Sequence, residues 1–154
     1  MRKKVLVGGP ARNAKRIVLA GGCFDLIHFG HIHFLKLARK KGDYLVVALE
    51  SDKNVKRLKG KGRPVHSQKQ RKLMLESLRF VDEVIALPPM KTDADYRRLV
   101  LRVGPKILAV TARDPHLAKK KRHAEAVGAK VVEIRKLRVK STSDILTAWE
   151  KNNY

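Results

Sequence analysis

The segment Gly21-Gly22-Cys23-Phe24-Asp25-Leu26-Ile27-His28-Phe29-Gly30-His31 sets two histidines around a glycine at the entry to a helical-period stretch. A helix start presents unpaired N–H groups and the positive end of the helix dipole, so it favours anions. Two imidazole donors, with a glycine that lets a ligand come close, make His28, Gly30 and His31 a candidate phosphate cradle. Helix-start histidines satisfied by backbone carbonyls have the same appearance, and the residues alone leave both readings open. A metal reading for His28, His31 and His33 lacks a suitably spaced fourth ligand or carboxylate, so no metal ligands are assigned.

Two further clusters carry polar chemistry. After Glu50-Ser51-Asp52-Lys53, the stretch VKRLKGKGRPV over residues 55–65 interleaves glycines with cations. It is expected to be a mobile basic loop, either folding over a triphosphate or standing as a solvated charge run. The other cluster, Lys140-Ser141-Thr142-Ser143-Asp144, is either a helix N-cap or a second phosphate-binding helix start. GxxxxGK[ST] does not occur, and Gly21-Gly22 lacks the third glycine of GxGxxG. Both absences argue against a P-loop ATPase and a dinucleotide-dependent dehydrogenase.

The elements that must position these clusters follow from the apolar pattern. Strands are expected at Ile17–Ala20, Tyr44–Leu49, Glu83–Leu87, Lys106–Thr111 and Lys130–Ile134. Helices are expected at Gly30–Lys41, Ser67–Arg79, Thr92–Val103, Pro115–Val127 and Ser143–Lys151. Continuous apolar strands alternating with helices imply a parallel sheet covered on both faces. The expectation is a single α/β domain over residues 17–154, a Rossmann-like doubly wound five-stranded sheet. Residues 1–16, basic and with the turn signal Gly8-Gly9-Pro10, read as an extension with room for one short strand. Ligands of such sheets bind beyond the carboxyl ends of the strands, which selects the loops after Ala20, Leu49, Leu87 and Thr111.

Composition bounds the answer. The 154 residues include 36 Lys+Arg against 14 Asp+Glu, a formal net charge of +22, and 44% hydrophobic residues. That apolar share supports a buried core, and the charge calls for a polyanionic partner, nucleic acid or a polyphosphate. No apolar run approaches the roughly 20 residues that span a bilayer, and no signal-peptide pattern is seen. Cys23, the single cysteine, excludes an internal disulfide and fits a cytoplasmic location without membrane contact.

Taken together, GGCFDLIHFGH, KKGDYLVVAL, the basic stretch with RPVHSQKQR, LESLRFVDEVIALP and KSTSDI resemble the cytidylyltransferase-like nucleotidyltransferases with the HxGH signature. Within that family the chain is similar to glycerol-3-phosphate cytidylyltransferase and to the heptose-1-phosphate adenylyltransferase domain, with the archaeal FAD synthases as a third neighbour. The resemblance runs over residues 17–148 and is strongest up to Pro88. It implies transfer of a nucleoside monophosphate from ATP or CTP to a phosphorylated polyol or sugar, with release of pyrophosphate. Relatives are often homodimers, and no segment here specifies an interface.

Carried over by position, the resemblance assigns His28 and His31 to the triphosphate around the transferred phosphorus and Lys59 to the phosphates, with Lys56 or Lys61 able to substitute. It gives nucleotide-binding roles to Gly22, Cys23, Phe24, Gly30, Arg71, Asp114, Ser141, Thr142 and Ser143. Asp25 shapes the loop, and Mg²⁺ is bound through the triphosphate rather than in a protein cage. No thiolate is needed for direct transfer, so Cys23 is not read as a nucleophile. Where relatives carry a glycine-aspartate segment with an aromatic, this chain has Thr111-Ala112-Arg113-Asp114-Pro115-His116, followed by the basic run Lys119–Arg122, which either grips an additional phosphate or, the preferred reading, stands as a solvated helix face. RLKGKGRPV leans towards the heptose-phosphate relatives and ATP, while HSQKQRKLMLESLRFVDEVI leans towards CTP.

Two alternatives are carried forward. An FAD synthase would take FMN as acceptor and need an apolar slot for the flavin ring. A nucleic-acid-binding protein on a degenerate transferase scaffold would use the charge for phosphate backbones. Against the latter stand only 5% aromatic residues, poor for base stacking, and an intact His28, Gly30 and His31.

Overall fold

The computed structural model describes residues 16–137 and 140–153. Of the N-terminal extension all but Arg16 lies outside the described residues, including any strand within it. The elements are β1 (Ile17–Gly22), α1 (Phe29–Arg39), β2 (Tyr44–Leu49), α2 (Asp52–Lys59), α3 (Gln68–Glu76), β3 (Glu83–Ala86), α4 (Asp93–Val103), β4 (Ile107–Thr111), α5 (Leu117–Glu125), β5 (Lys130–Ile134) and α6 (Thr142–Asn153).

All strand pairs are parallel, in the order β3-β2-β1-β4-β5. β1 is therefore central, paired with β2 from Ile17↔Tyr44 to Gly22↔Leu49 and with β4 through Val18↔Ile107 to Ala20↔Ala109. The chain winds outward from β1 to β3, then returns to start again at β4. The crevice at that reversal opens at the carboxyl ends of β1 and β4, where Gly21-Gly22 and Thr111 end their strands.

The strands bury both faces, as their unbroken apolar runs require. Ile17 and Leu19 join Val46, Leu99, Val100, Val103 and Leu108 on the face covered by α4 and α5. Val18 and Ala20 join Val47, Leu35, Ala38 and Leu75 on the face covered by α1 and α3. Each fully buried Val or Leu contributes about 1.5–3 kcal/mol relative to exposure, so the sheet centre is the most expensive region to disturb.

Boundaries moved where polar caps overrode the apolar period. α3 begins after Ser67, whose Oγ accepts from Gln70 N–H while Gln70 Oε1 accepts from Ser67 N–H. α4 begins after Thr92 in the same reciprocal arrangement with Asp95 and ends at Gly104, left-handed at φ 59°.

One expectation is corrected outright: residues 52–59 are a helix, not a mobile loop. Ser51 Oγ accepts from Asn54 N–H, Asp52 sits at the positive end, and Gly60 at φ 92° stops the helix. Val55 anchors it in the core while its cations face water. A run this rich in lysine hides a helix that needs only one buried residue per turn. The basic loop shrinks to residues 60–64.

Candidate active site

The loop after β1 is bent into backbone that side chains seldom adopt, Phe24 at φ 46° and Leu26 at φ 50°. Each such residue costs roughly 1–2 kcal/mol, and Asp25 supplies the restraint. Its carboxylate accepts from the Val65 and His66 amides at 2.9 and 3.1 Å and from Arg63 Nε at 2.7 Å. Burial pushes the Asp25 pKa up, but the Val65 amide, Arg63 and the His66 amide outweigh it and hold it below the usual value. Phe24 is buried against Gly22, where a Cβ would come within 2.9 Å of the ring. Gly22 is thus required by packing inside the protein as well as by any ligand.

His28 caps α1, and the two histidines lock each other. Gly30 N–H donates to His28 Nδ1 at 3.1 Å, and His28 N–H donates to His31 Nδ1 at 3.4 Å. The rings lie tilted with centroids 3.9 Å apart, and Phe24 meets His31 edge-on at 5.3 Å. Since both Nδ1 atoms are acceptors, each neutral ring carries its proton on Nε2. Burial, reinforced by His28 and Lys59, lowers the His31 pKa to about 4; burial and then Lys136 lower that of His28. The pair therefore offers neutral N–H donors. This corrects the expectation of a bare helix start, because Gly30 N–H is already spent on the cap.

A cavity of about 420 Å³ opens above these rings at the β1–β4 crevice. It is lined by Gly22, Cys23, Phe24, His28, Gly30 and His31, and also by Lys59, Asp114, Ser141, Thr142 and Ser143. Of Lys56, Lys59 and Lys61, Lys59 alone lines it, since α2 ends there. Thr142 Oγ1 donates to Asp25 O at 2.7 Å, tying α6 to the β1 loop across the sequence. Ser141 Oγ and N–H donate to Asp144, the capping arrangement expected of this cluster, and the hydroxyl and backbone bonds to Ser141 lower the Asp144 pKa. Asp114 is engaged by Lys120 Nζ at 2.6 Å and the His116 amide at 2.8 Å.

Arg71 lies elsewhere. It is fully buried, and its guanidinium donates to His66 O, Cys23 O, Glu50 O and Asp52 Oδ1. Rather than reaching a nucleotide, it holds the carbonyls that follow β1 and β2. A guanidinium with five donors is the side chain that can satisfy so many diverging acceptors. Burial raises the Cys23 pKa despite Lys59, which keeps the thiol protonated and unsuited to nucleophilic attack.

The cavity also contains Arg63 and Lys120, each from one of the two basic runs, and Arg135 and Lys136, which the motifs did not single out. Arg135 and Lys136 directly follow β5, so the strand-end rule was the available signal. Lys120 corrects the solvated-face reading of its run: it is half-buried against Asp114, whereas Lys121 and Arg122 are exposed.

A second cavity of about 520 Å³ adjoins the first. Both share Gly21, Gly22, Cys23, Ala109, Val110 and Lys120 as a common ridge. Its floor is apolar, with Leu19, Leu87, Leu99, Val100 and Leu108; Arg57, Lys91, His116 and Lys119 stand around it. Glu50, Tyr96 and the Asp93–His123 pair, 3.2 Å apart, complete the lining. Among the described residues, no group of three or more His, Cys, Asp or Glu side chains is placed to hold a metal ion, and no helix is long and apolar enough to cross a membrane.

The model of the cytidylyltransferase-like family matches residues 19–148. Bifunctional protein HldE of Campylobacter jejuni is 54% identical over 74 residues, 48% of this chain and 16% of that protein. The protein of the same name from Photorhabdus laumondii is 42% identical over 97 residues, 63% of this chain and 20% of that protein. The match thus spans about a sixth to a fifth of these relatives. Among solved structures, the lipopolysaccharide core biosynthesis protein from Thermoplasma volcanium is similar at a TM-score of 0.65 and 28% identity, covering 80% of this chain and 99% of that one. Pantoate-beta-alanine ligase from Francisella tularensis shares the fold at a TM-score of 0.60 and 15% identity, covering 91% of this chain and 72% of its own.

Proposed function

This chain belongs to the cytidylyltransferase-like family, and from that premise we propose that it is a nucleotidyltransferase acting on a nucleoside triphosphate and a phosphorylated sugar or polyol. An oxygen of the acceptor phosphate attacks the α-phosphorus of ATP or CTP. The new O–P bond forms as the bond to pyrophosphate breaks, and pyrophosphate leaves. The acceptor phosphate is already ionised at neutral pH, so neither a covalent intermediate nor a thiolate is required.

The carrying observation is the reciprocal histidine pair, with Nδ1 of each ring occupied and Nε2–H left for the cavity. On this reading His28 and His31 donate to oxygens on the transferred phosphorus, where charge accumulates in the transition state. Lys59, Arg63 and Lys136 balance the departing pyrophosphate, and the Ser141–Ser143 turn meets the outer phosphates. The acceptor occupies the second cavity, across the ridge formed by Gly22 and Cys23. Mg²⁺ is held by phosphate oxygens, in keeping with its preference for retained waters. The cavity's carboxylates support this, since Asp25 and Asp114 are both committed to protein donors. RLKGKGRPV leans towards ATP and HSQKQRKLMLESLRFVDEVI towards CTP.

One observation favours FMN as the acceptor instead: the apolar floor of the second cavity would seat a flavin ring. Pyrophosphate release decides among these, measured for ATP, CTP, GTP and UTP, each with heptose 1-phosphate, glycerol 3-phosphate or FMN. Release with ATP or CTP and a sugar or polyol phosphate is expected. No release with any pair, together with salt-sensitive RNA binding, would overturn the transferase reading.

A further inference from the structure

Two acids line the second cavity: Asp93, which is paired with His123 at 3.2 Å, and Glu50, which stands among apolar and cationic side chains. Glu50 follows β2 and is buried at 9% exposure. Its Oε1 accepts from Tyr96 OH at 2.8 Å and its Oε2 from Asn54 Nδ2 at 2.8 Å. Asn54 is fixed in turn by donating to Met90 O at 3.0 Å. Both hydrogen bonds come from neutral groups. Among the described residues, no cationic side chain lies within ion-pair distance of Glu50.

A buried carboxylate without a counter-ion is costly, and a neutral amide could bridge Tyr96 and Asn54 without that cost. The charge therefore points to a use. A carboxylate has about four acceptor positions, and two neutral donors leave Glu50 with capacity on both oxygens beside the cavity. What it can accept are hydroxyl protons. It repels phosphate, which leaves the acceptor's phosphate to the ridge at Gly22 and Cys23; Glu50 N–H bonds to Gly22 O at 3.1 Å, so the two subsites adjoin.

We propose that Glu50 is the specificity-determining residue for the acceptor, binding neighbouring hydroxyls of a polyhydroxylated phosphate ester while Tyr96 and Asn54 hold its carboxylate in place. The proposal rests on the transferase reading and deepens it. Tyr96 is a positioning residue, acting through Glu50.

Pyrophosphate release, with glycerol 3-phosphate compared against propyl phosphate and heptose 1-phosphate against cyclohexyl phosphate, tests it in the wild type, Glu50→Gln and Tyr96→Phe. Thermal unfolding verifies that each variant is folded. The wild type should favour the hydroxylated ester by about tenfold or more, the range of a charged hydrogen bond. Glu50→Gln should raise the acceptor KM by about tenfold, leave the triphosphate KM within about twofold and abolish that preference. Tyr96→Phe should do the same more weakly, and it carries the test if Glu50→Gln does not fold. An active, folded variant with unchanged acceptor KM and preference overturns the role of Glu50 alone. Turnover with FMN but with no sugar or polyol phosphate overturns Glu50 as a hydroxyl reader and leaves the transferase chemistry standing. A wild type that releases no pyrophosphate with any acceptor overturns both.

Discussion

The two cavities share a ridge but are built by opposite means. The first is made of loop and helix ends: a strained turn, two interlocked histidines, and a helix start drawn in by Thr142. Its neutral donors and the cations around them suit a ligand whose charge is known in advance, a polyphosphate. The second is made of strand and helix sides, with an apolar floor and one acid wedged between Tyr96 and Asn54. Its character is set by packing. On the proposed function, the first cavity carries out the transfer and the second selects the acceptor.

Arg71 underlies both cavities, through Cys23 O on the ridge and Glu50 O beside the second. Arg71→Ala should therefore cost about 3–5 kcal/mol in urea unfolding, the range for removing one partner from a buried charged network. A loss confined to activity would show that it touches substrate after all. His28→Ala and His31→Ala should each lower kcat about a hundredfold or more, with acceptor preference unchanged. A preference that moved with them would break the division between the cavities.

The pH response sharpens the same contrast, because the first cavity holds the strongly shifted histidine. His31 has a folded pKa of about 4, below its ordinary 6.5. The unfolded chain takes up its proton first on acidification, so stability is full above that ordinary value and is lost as the pH falls through the folded one. By linkage, roughly 2 kcal/mol should disappear between pH 7 and pH 5. Thermal unfolding of His31→Gln should show a correspondingly flatter profile over that window. The smallest effect is expected on the ridge itself. Cys23→Ser should leave kcat within about twofold, and a collapse of turnover would restore a covalent role for the thiol.

Much of the first cavity was legible because backbone geometry translates motif into position. A helix that starts after a strand puts His28, Gly30 and His31 at the strand's carboxyl end, and Ser141–Asp144 reads as a helix cap on its face. Arg71 was not legible, since an arginine among polar helix residues has the same local pattern whether it faces ligand or carbonyls. Nor was α2, whose lysines outnumber its buried residues, or Lys120, distinguished from Lys121 only by the presence of Asp114. Glu50 has no local signature, because its meaning depends on Tyr96, which comes from a helix beyond β3.

The sequence by itself determined the parallel sheet, the place of the crevice and the histidine pair, since each follows from short-range periodicity and capping. The tertiary structure alone decided that Nδ1 of each histidine is spent on its neighbour, that Arg71 is a buried brace, and that an acid stands in the second cavity. Those outcomes depend on which distant carbonyls, hydroxyls and amides converge on one side chain, and convergence of that kind leaves no local pattern to read.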